Sequence, residues 1–454
     1  MTTTVAVVGG GITGLTAALT AMRSGSRVVL IEAAERLGGK IRTDSVAGAH
    51  VEAGADWFVT NRPEALELCR ELGLEDELVP PAVGGVHVWS RGRLRPFPTG
   101  FVRGIPTSAG AVLRCDFLSW SGRLRALADL AWPRRLTGDD LSIGEFVRRR
   151  FGREVLERLV DPMLAASRSG AADDMSLAAG APEIDSAARS HRSVMRALGG
   201  NIETDSGFVG LRGGMQQLID ALQRALGAAD VRTGTQVVGL AKTGGGYALE
   251  LADGEAIVAD GVILAVPAFA VASLLGEVSA EAAAVLRTID YAPAVVVGLV
   301  YDSANLAVPR EASGFLVPSS DRRVLTAAAW FSAKWPHAAP PDGGTVIRCF
   351  AGDAALGLDD GDLVAAIRSE LGEIAGIHVD PRAAHVVRWE RALPLYTVGH
   401  LTRVAAARDA LSDYPGLAIA GAGYEGSGLP ACIAQGQDAA RRVVGTISEA
   451  DASR

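Results

Sequence analysis

Thr4-Val-Ala-Val-Val-Gly-Gly-Gly-Ile-Thr-Gly14 is a valine-rich run that breaks on three glycines and restarts as an apolar stretch reaching about Arg23. The run reads as a strand buried on both faces and the restart as a helix. Arg27-Val-Val-Leu-Ile31 is a second strand, and it ends at Glu32. Strand, glycine turn, helix, strand and terminal acid, in this order, form the βαβ fingerprint of a dinucleotide site. Gly9 permits the tight turn, Gly11 lets backbone approach a pyrophosphate, and Gly14 lets helix and sheet pack closely; Gly10, Ile12 and Thr13 complete the loop. Phosphates there meet free N–H groups and the positive end of the helix dipole. Glu32 lies eighteen residues past Gly14, where a carboxylate accepts from ribose hydroxyls.

The residues after Glu32 separate a flavin dinucleotide from a nicotinamide one. Glu35-Arg-Leu-Gly-Gly-Lys-Ile-Arg-Thr43 offers paired glycines, Gly38 and Gly39, with Arg36, Lys40 and Arg42 nearby to meet phosphate. A nicotinamide dehydrogenase does not need this second turn. The stretch resembles the second glycine motif of FAD enzymes of the amine oxidase and protoporphyrinogen oxidase superfamily, and so does Val51-Glu-Ala-Gly-Ala-Asp-Trp57. The resemblance implies FAD, with Gly54, Ala55, Asp56 and Trp57 against the flavin. No His or Cys stands in a recognisable attachment motif, so non-covalent FAD is expected.

At 454 residues the chain exceeds one ordinary core, so intergrown domains are expected. A net charge of −8 argues against a nucleic-acid binder, whose affinity comes mainly from a basic surface. Cys69, Cys115, Cys349 and Cys432 are far apart and form no C-x-x-C, which speaks for reduced thiols in the cytoplasm and against a metal site. The first strand is expected within four residues of Met1, so no signal peptide is expected. Residues 123–135 are apolar with basic ends, which suits an internal helix or a weak membrane-surface contact. Oligomeric state stays open between monomer and homodimer.

The alternation of strand and helix divides the chain. An α/β, Rossmann-like FAD-binding domain is expected from residues 1–82, 205–288 and 392–454, with a helical lobe at 83–204 and a mixed-sheet substrate domain at 289–391. Residues 259–267 read as a buried strand ending at a cofactor-side loop. A second literal G-x-G-x-x-G, Gly421-Ala-Gly-Tyr-Glu-Gly426, follows the strand-like 416–421. The helix after it nearly exhausts the chain, leaving no room for another strand with its acid. It is therefore read not as a nicotinamide site but as a turn that points the helix from Leu429 at the flavin, where its dipole favours negative charge.

Laid out in full, the chain resembles the coproporphyrinogen III/protoporphyrinogen oxidase family over nearly its whole length. The motifs that carry this are Asn61–Gly73, Val88–Leu94, Gly104–Thr107, Leu159–Pro162, Gly207–Phe208 with Arg212–Met215, Ser332–Trp335, Arg388–His400 and Gly426–Ile433. The resemblance implies a p-hydroxybenzoate-hydroxylase-like fold. It also implies hydride removal from a porphyrinogen carbon in haem synthesis, with dioxygen reoxidising the flavin. No catalytic residue is expected, because the flavin carries the chemistry. Beyond the glycine motifs, the resemblance assigns FAD contacts to Val237, Trp389, Ser427, Gly428 and Leu429. It leaves Lys334 between a water-holding role near the flavin and a structural one. Arg93, Arg95, Arg103 and Arg114 are offered for substrate carboxylates.

One segment departs from the pattern. After Leu159-Val-Asp-Pro-Met-Leu164 the family usually runs Gly-Gly-Val-Tyr/Phe-Ala-Gly, whereas this chain has Ala-Ala-Ser167-Arg168-Ser-Gly170. In the family this segment lines the substrate cavity, so Ser167 and Arg168 join Tyr396 and His400 as substrate-wall candidates. The change opens an alternative: a sister FAD oxidase or dehydrogenase acting on an amine or another cyclic metabolite in specialised metabolism.

Overall fold

The computed structural model describes residues 3–132, 134–168, 170–201, 207–302, 306 and 311–452, without the side chains of 165–168, 201 and 450–452. Strands Asp230–Arg232, Arg27–Ile31, Thr4–Val8, Gly261–Leu264 and Leu417–Ile419 lie side by side in that order as one parallel sheet. Their valine, isoleucine and leucine side chains are buried on both faces, as a parallel sheet requires. Helices Ile12–Arg23, Gln216–Ala225 and Leu429–Ala452 cover one face. A three-stranded antiparallel sheet, Val237–Lys242, Tyr247–Leu251 and Ala256–Ala259, covers the other together with helices Ala268–Leu274 and Ala280–Leu286.

A second sheet of seven strands stands beyond the carboxyl ends of the first. Its order is Ala383–Pro394, Tyr291–Tyr301, Thr345–Ala351, Leu325–Ala329, Gly314–Leu316, His87–Ser90 and Arg93–Pro96. The last two strands fall inside the stretch read from sequence as helical lobe (83–204), so the lobe proper starts later, with helices from Ala109 onward. The hairpin His87–Ser90/Arg93–Pro96 is short and pairs in parallel with a strand more than 200 residues away, a long-range contact that local patterning does not reveal. The helical lobe packs on one face of this sheet through Leu316, Ala327 and Phe350. Helix Asp360–Ala375 packs on the other, started by an Asp359 side-chain cap and ended at left-handed Gly376. The strand Ala383–Pro394 runs across the expected boundary at 391–392, tying the second sheet to the first domain. No helix among the described residues is long and apolar enough to cross a membrane.

Candidate active site

The first strand turns at Gly9 (φ 108°), and helix Ile12–Arg23 begins on Gly11 with no side-chain cap and no acid in its first turn. Its leading N–H groups are thereby left for an anion. A Cβ on Gly14 would lie 1.8 Å from the Gly9 carbonyl oxygen, so the helix sits as close to the strand as backbone allows. The second glycine turn docks on the first. The Gly38 amide donates to the Gly10 carbonyl at 2.8 Å, and a Cβ on Gly39 would touch the Gly11 Cα at 3.3 Å. Gly54 closes the third side, since a Cβ there would lie 1.6 Å from the Lys40 carbonyl oxygen.

These three approaches frame a cavity of about 640 Å³, within the range of roughly 300–1,000 Å³ usual for small-molecule sites. It runs from Glu32 past Gly9, Gly11, Ile12, Thr13, Gly39 and Lys40 to Gly54, Ala55 and Trp389, and includes Ser427 and Leu429. The cavity thus brings together residues from distant stretches of chain. Glu32 already accepts from the Gly10 amide at 2.6 Å and the Ala34 amide at 2.8 Å, which aims its carboxylate into the site. Val237 stands at the same end, just past Thr235, whose amide donates to the Glu32 carbonyl at 2.9 Å, but it does not line the cavity.

Other sequence candidates lie outside the lining. Gly10 and Gly14 serve the packing of the turn, and Gly428 precedes the last helix. Arg42 pairs with Asp44 at 2.7 Å, and Arg36 donates to the Leu37 and Ile41 carbonyls at 3.0 Å, pinning the second glycine turn from outside. Trp57 is exposed and packs edge-on against Phe208. Asp56 bonds to Lys334 and Arg348, each at 2.8 Å. Lys334 is thus a structural partner of Asp56 and does not line the cavity.

Tyr396 and His400 lie behind the wall instead of on it. The Tyr396 hydroxyl donates to the Ala422 carbonyl at 2.5 Å and accepts from the Gly426 amide at 3.1 Å, which braces the second G-x-G-x-x-G turn. His400 is wholly buried, stacks on Tyr396 and contacts the Tyr424 carbonyl at 2.9 Å. Burial pushes its imidazole below the usual range, as expected of a neutral packing residue. The side chains of Ser167 and Arg168 lie outside the described residues, and only the backbone of helix Asp161–Arg168 is placed. Arg95 pairs with Asp116 at 2.9 Å and Arg103 with Glu183, so both already hold protein acids.

Several lining residues escaped the sequence reading: Phe269, Tyr291, Thr326, Arg348, Phe350 and Cys432. The available signal was Arg348, a lone charge inside the apolar strand Thr345–Ala351. Burial pushes the Cys432 thiol up to about 11, so it is no nucleophile near neutrality. Among the described lining residues there is no histidine. The architecture is two-sheet α/β, with glycine turns of a kind suited to a nucleotide at the carboxyl end of the parallel sheet.

The particular family follows from comparison with known proteins. The flavin containing amine oxidoreductase family matches residues 12–444, and the chain belongs to it. It is a flavin-dependent oxidoreductase. The chain is 35% identical to a coproporphyrinogen III oxidase of Bacillus subtilis over 96% of both chains. The solved structure of a protoporphyrinogen oxidase candidate from Exiguobacterium sp. 255-15 superposes with a TM-score of 0.87 at 30% identity, covering 97% of this chain and 98% of the other. Cyclohexylamine oxidase from Brevibacterium oxydans shares the fold, with a TM-score of 0.72 at 16% identity, over 99% of this chain and 100% of its own.

Proposed function

We propose that the chain is an FAD-dependent oxidase that takes hydride from a porphyrinogen carbon, with coproporphyrinogen III as substrate and dioxygen as acceptor. It acts in the cytoplasm, as a monomer or homodimer. The observation that carries this reading is similarity at 35% identity over 96% of the chain to a coproporphyrinogen III oxidase.

The residues present fit FAD. The uncapped start of helix Ile12–Arg23 and the docked turns at Gly9–Gly11 and Gly38–Gly39 suit a pyrophosphate, and Glu32 suits a ribose. Helix Leu429–Ala452 starts at the cavity with no acid in its first turn, so its positive end faces the site. When bound, the flavin supplies the hydride acceptor and returns electrons to dioxygen as hydrogen peroxide. The protein's part is to hold and orient. Trp389 donates its indole N–H to the Ala53 carbonyl at 2.8 Å, which fixes one wall. Phe269 and Phe350 keep other parts of the wall apolar.

The test is anaerobic mixing of the flavin-loaded protein with coproporphyrinogen III. Bleaching of the flavin, followed in air by coproporphyrin fluorescence and peroxide, is the expected result; an unbleached flavin sinks the proposal. Acid precipitation should leave all flavin in the supernatant, and flavin in the pellet would mean covalent attachment. A second reading rests on one observation, the altered segment at 165–170. If an amine or another cyclic metabolite bleaches the flavin and coproporphyrinogen does not, this protein is a sister oxidase.

A further inference from the structure

Arg348 is a charge in the middle of an apolar strand, and its side chain is 2% exposed. It lines the cavity from the second sheet, across the glycine turns from Glu32. A dinucleotide with its ribose at Glu32 and its phosphates at Gly9–Gly14 has only the second-sheet end left for its redox ring.

Nη1 of Arg348 donates to Asp56 Oδ1 at 2.8 Å, and Nη2 donates to the Gly54 carbonyl. The guanidinium stacks 4.7 Å over the ring of Phe350, another lining residue. From behind, Lys334 Nζ donates to Asp56 Oδ2 at 2.8 Å and the Trp335 indole N–H joins it at 3.1 Å. Two cations therefore share one carboxylate. Burial alone would raise the Asp56 carboxyl, but Lys334 and Arg348 outweigh it and hold it at about 2. Glu52, another acid that senses Arg348, is held up at about 7 by burial and adds little charge below neutrality. Nε of Arg348 has no partner among the described residues. An excess of buried positive charge is costly unless something else meets it.

We propose that Arg348 is the fixed cation of the flavin end: it holds Gly54 and Ala55 in place and leaves positive charge uncompensated at the cavity wall, which favours the reduced, anionic ring over the oxidised one. This rests on the flavin reading and is independent of the porphyrinogen. Arg348 is a positioning and electrostatic residue; it transfers no proton.

The experiment measures the midpoint potential of the bound flavin by titration against reference dyes, and the FAD affinity of each apoprotein, for R348M, R348K and D56N. R348M should shift the equilibrium toward oxidised flavin by tenfold or more, about 30 mV for a two-electron couple. R348K keeps the charge and should recover most of that shift. D56N uncovers a cation and should move the potential the opposite way. A purely packing role would weaken FAD binding in all three without this change of sign. R348M at the parental potential, or D56N moving in the same direction as R348M, overturns the proposal. Should R348M fail to fold, D56N decides alone, and a potential at or below the parent's overturns it. A protein that never holds flavin would end both readings. Shifted potentials with no oxidation of coproporphyrinogen would remove the substrate reading alone.

Discussion

Around Gly9–Gly14 the cavity wall is backbone, whereas at Arg348 it is a side chain held by partners from distant stretches of chain. At the first end, shape comes from missing Cβ atoms and spare N–H groups, all within about thirty residues of sequence. At the second, Asp56, Lys334 and Arg348 meet only after two sheets have formed and docked. The second G-x-G-x-x-G turn belongs with this second type. Gly421 and Gly426 have positive φ like Gly9, yet the turn is held by the Tyr396 hydroxyl and by Gln435 from the following helix. A backbone-built end tolerates almost no substitution at its glycines. A side-chain-built end answers to charge and pH.

The largest effect is expected from Gly14→Ala, because its new methyl would fall 1.8 Å from the Gly9 carbonyl oxygen and helix and strand cannot both stay. Overpacking of this severity costs about 3 kcal/mol or more. The variant should be insoluble or colourless, and a yellow protein with the parental melting temperature would refute the backbone account.

Glu52 gives the sharpest pH signature of the other end. It is 3% exposed, accepts from the Met215 amide at 2.7 Å and from Thr43, and shares a small polar cavity with His50, Asp56 and His337. Burial raises its carboxyl from 4.5 to about 7. A raised acid favours the folded state while protonated, so its contribution is full below about pH 4.5 and is lost as pH climbs through 7. That window corresponds to a swing on the order of 3 kcal/mol. Glu52→Gln should flatten the rise in instability between pH 5 and about 8 in melting curves, leaving the variant the more stable protein at the alkaline side. Parallel parent and variant curves would disprove it.

Glu32→Ala should weaken FAD binding by about 2 kcal/mol, the scale of a lost charge-assisted bond. Fluorescence titration of the apoprotein checks this, and an unchanged affinity moves the ribose contact elsewhere. The smallest change is expected from Tyr396→Phe. It removes the bonds to Ala422 and Gly426 that brace the second turn, about 1 kcal/mol of stability by denaturant unfolding. FAD affinity should hardly move, since Tyr396 is not on the wall. A variant that keeps its stability and loses flavin would put Tyr396 back at the site.

The sequence by itself determined the glycine-turn end, because a βαβ unit closes its own turn within one local stretch. Gly9, Gly11, Glu32 and Gly39 all line the cavity, and the parallel sheet, its last strand and the final helix lie near where periodicity put them. The four buried cysteines are unpaired, Tyr396 braces the second glycine turn, and His400 stacks on Tyr396. Only the tertiary structure decided the other end. Nothing near Asp56 in sequence announces that its carboxylate is shared by Lys334 and Arg348, 278 and 292 residues away. Nor does local pattern reveal that residues 87–96 are strands of the second sheet, since strand pairing is a contact between distant stretches. Backbone geometry is written in adjacent residues, whereas a buried charge is only as stable as the partners that folding brings to it.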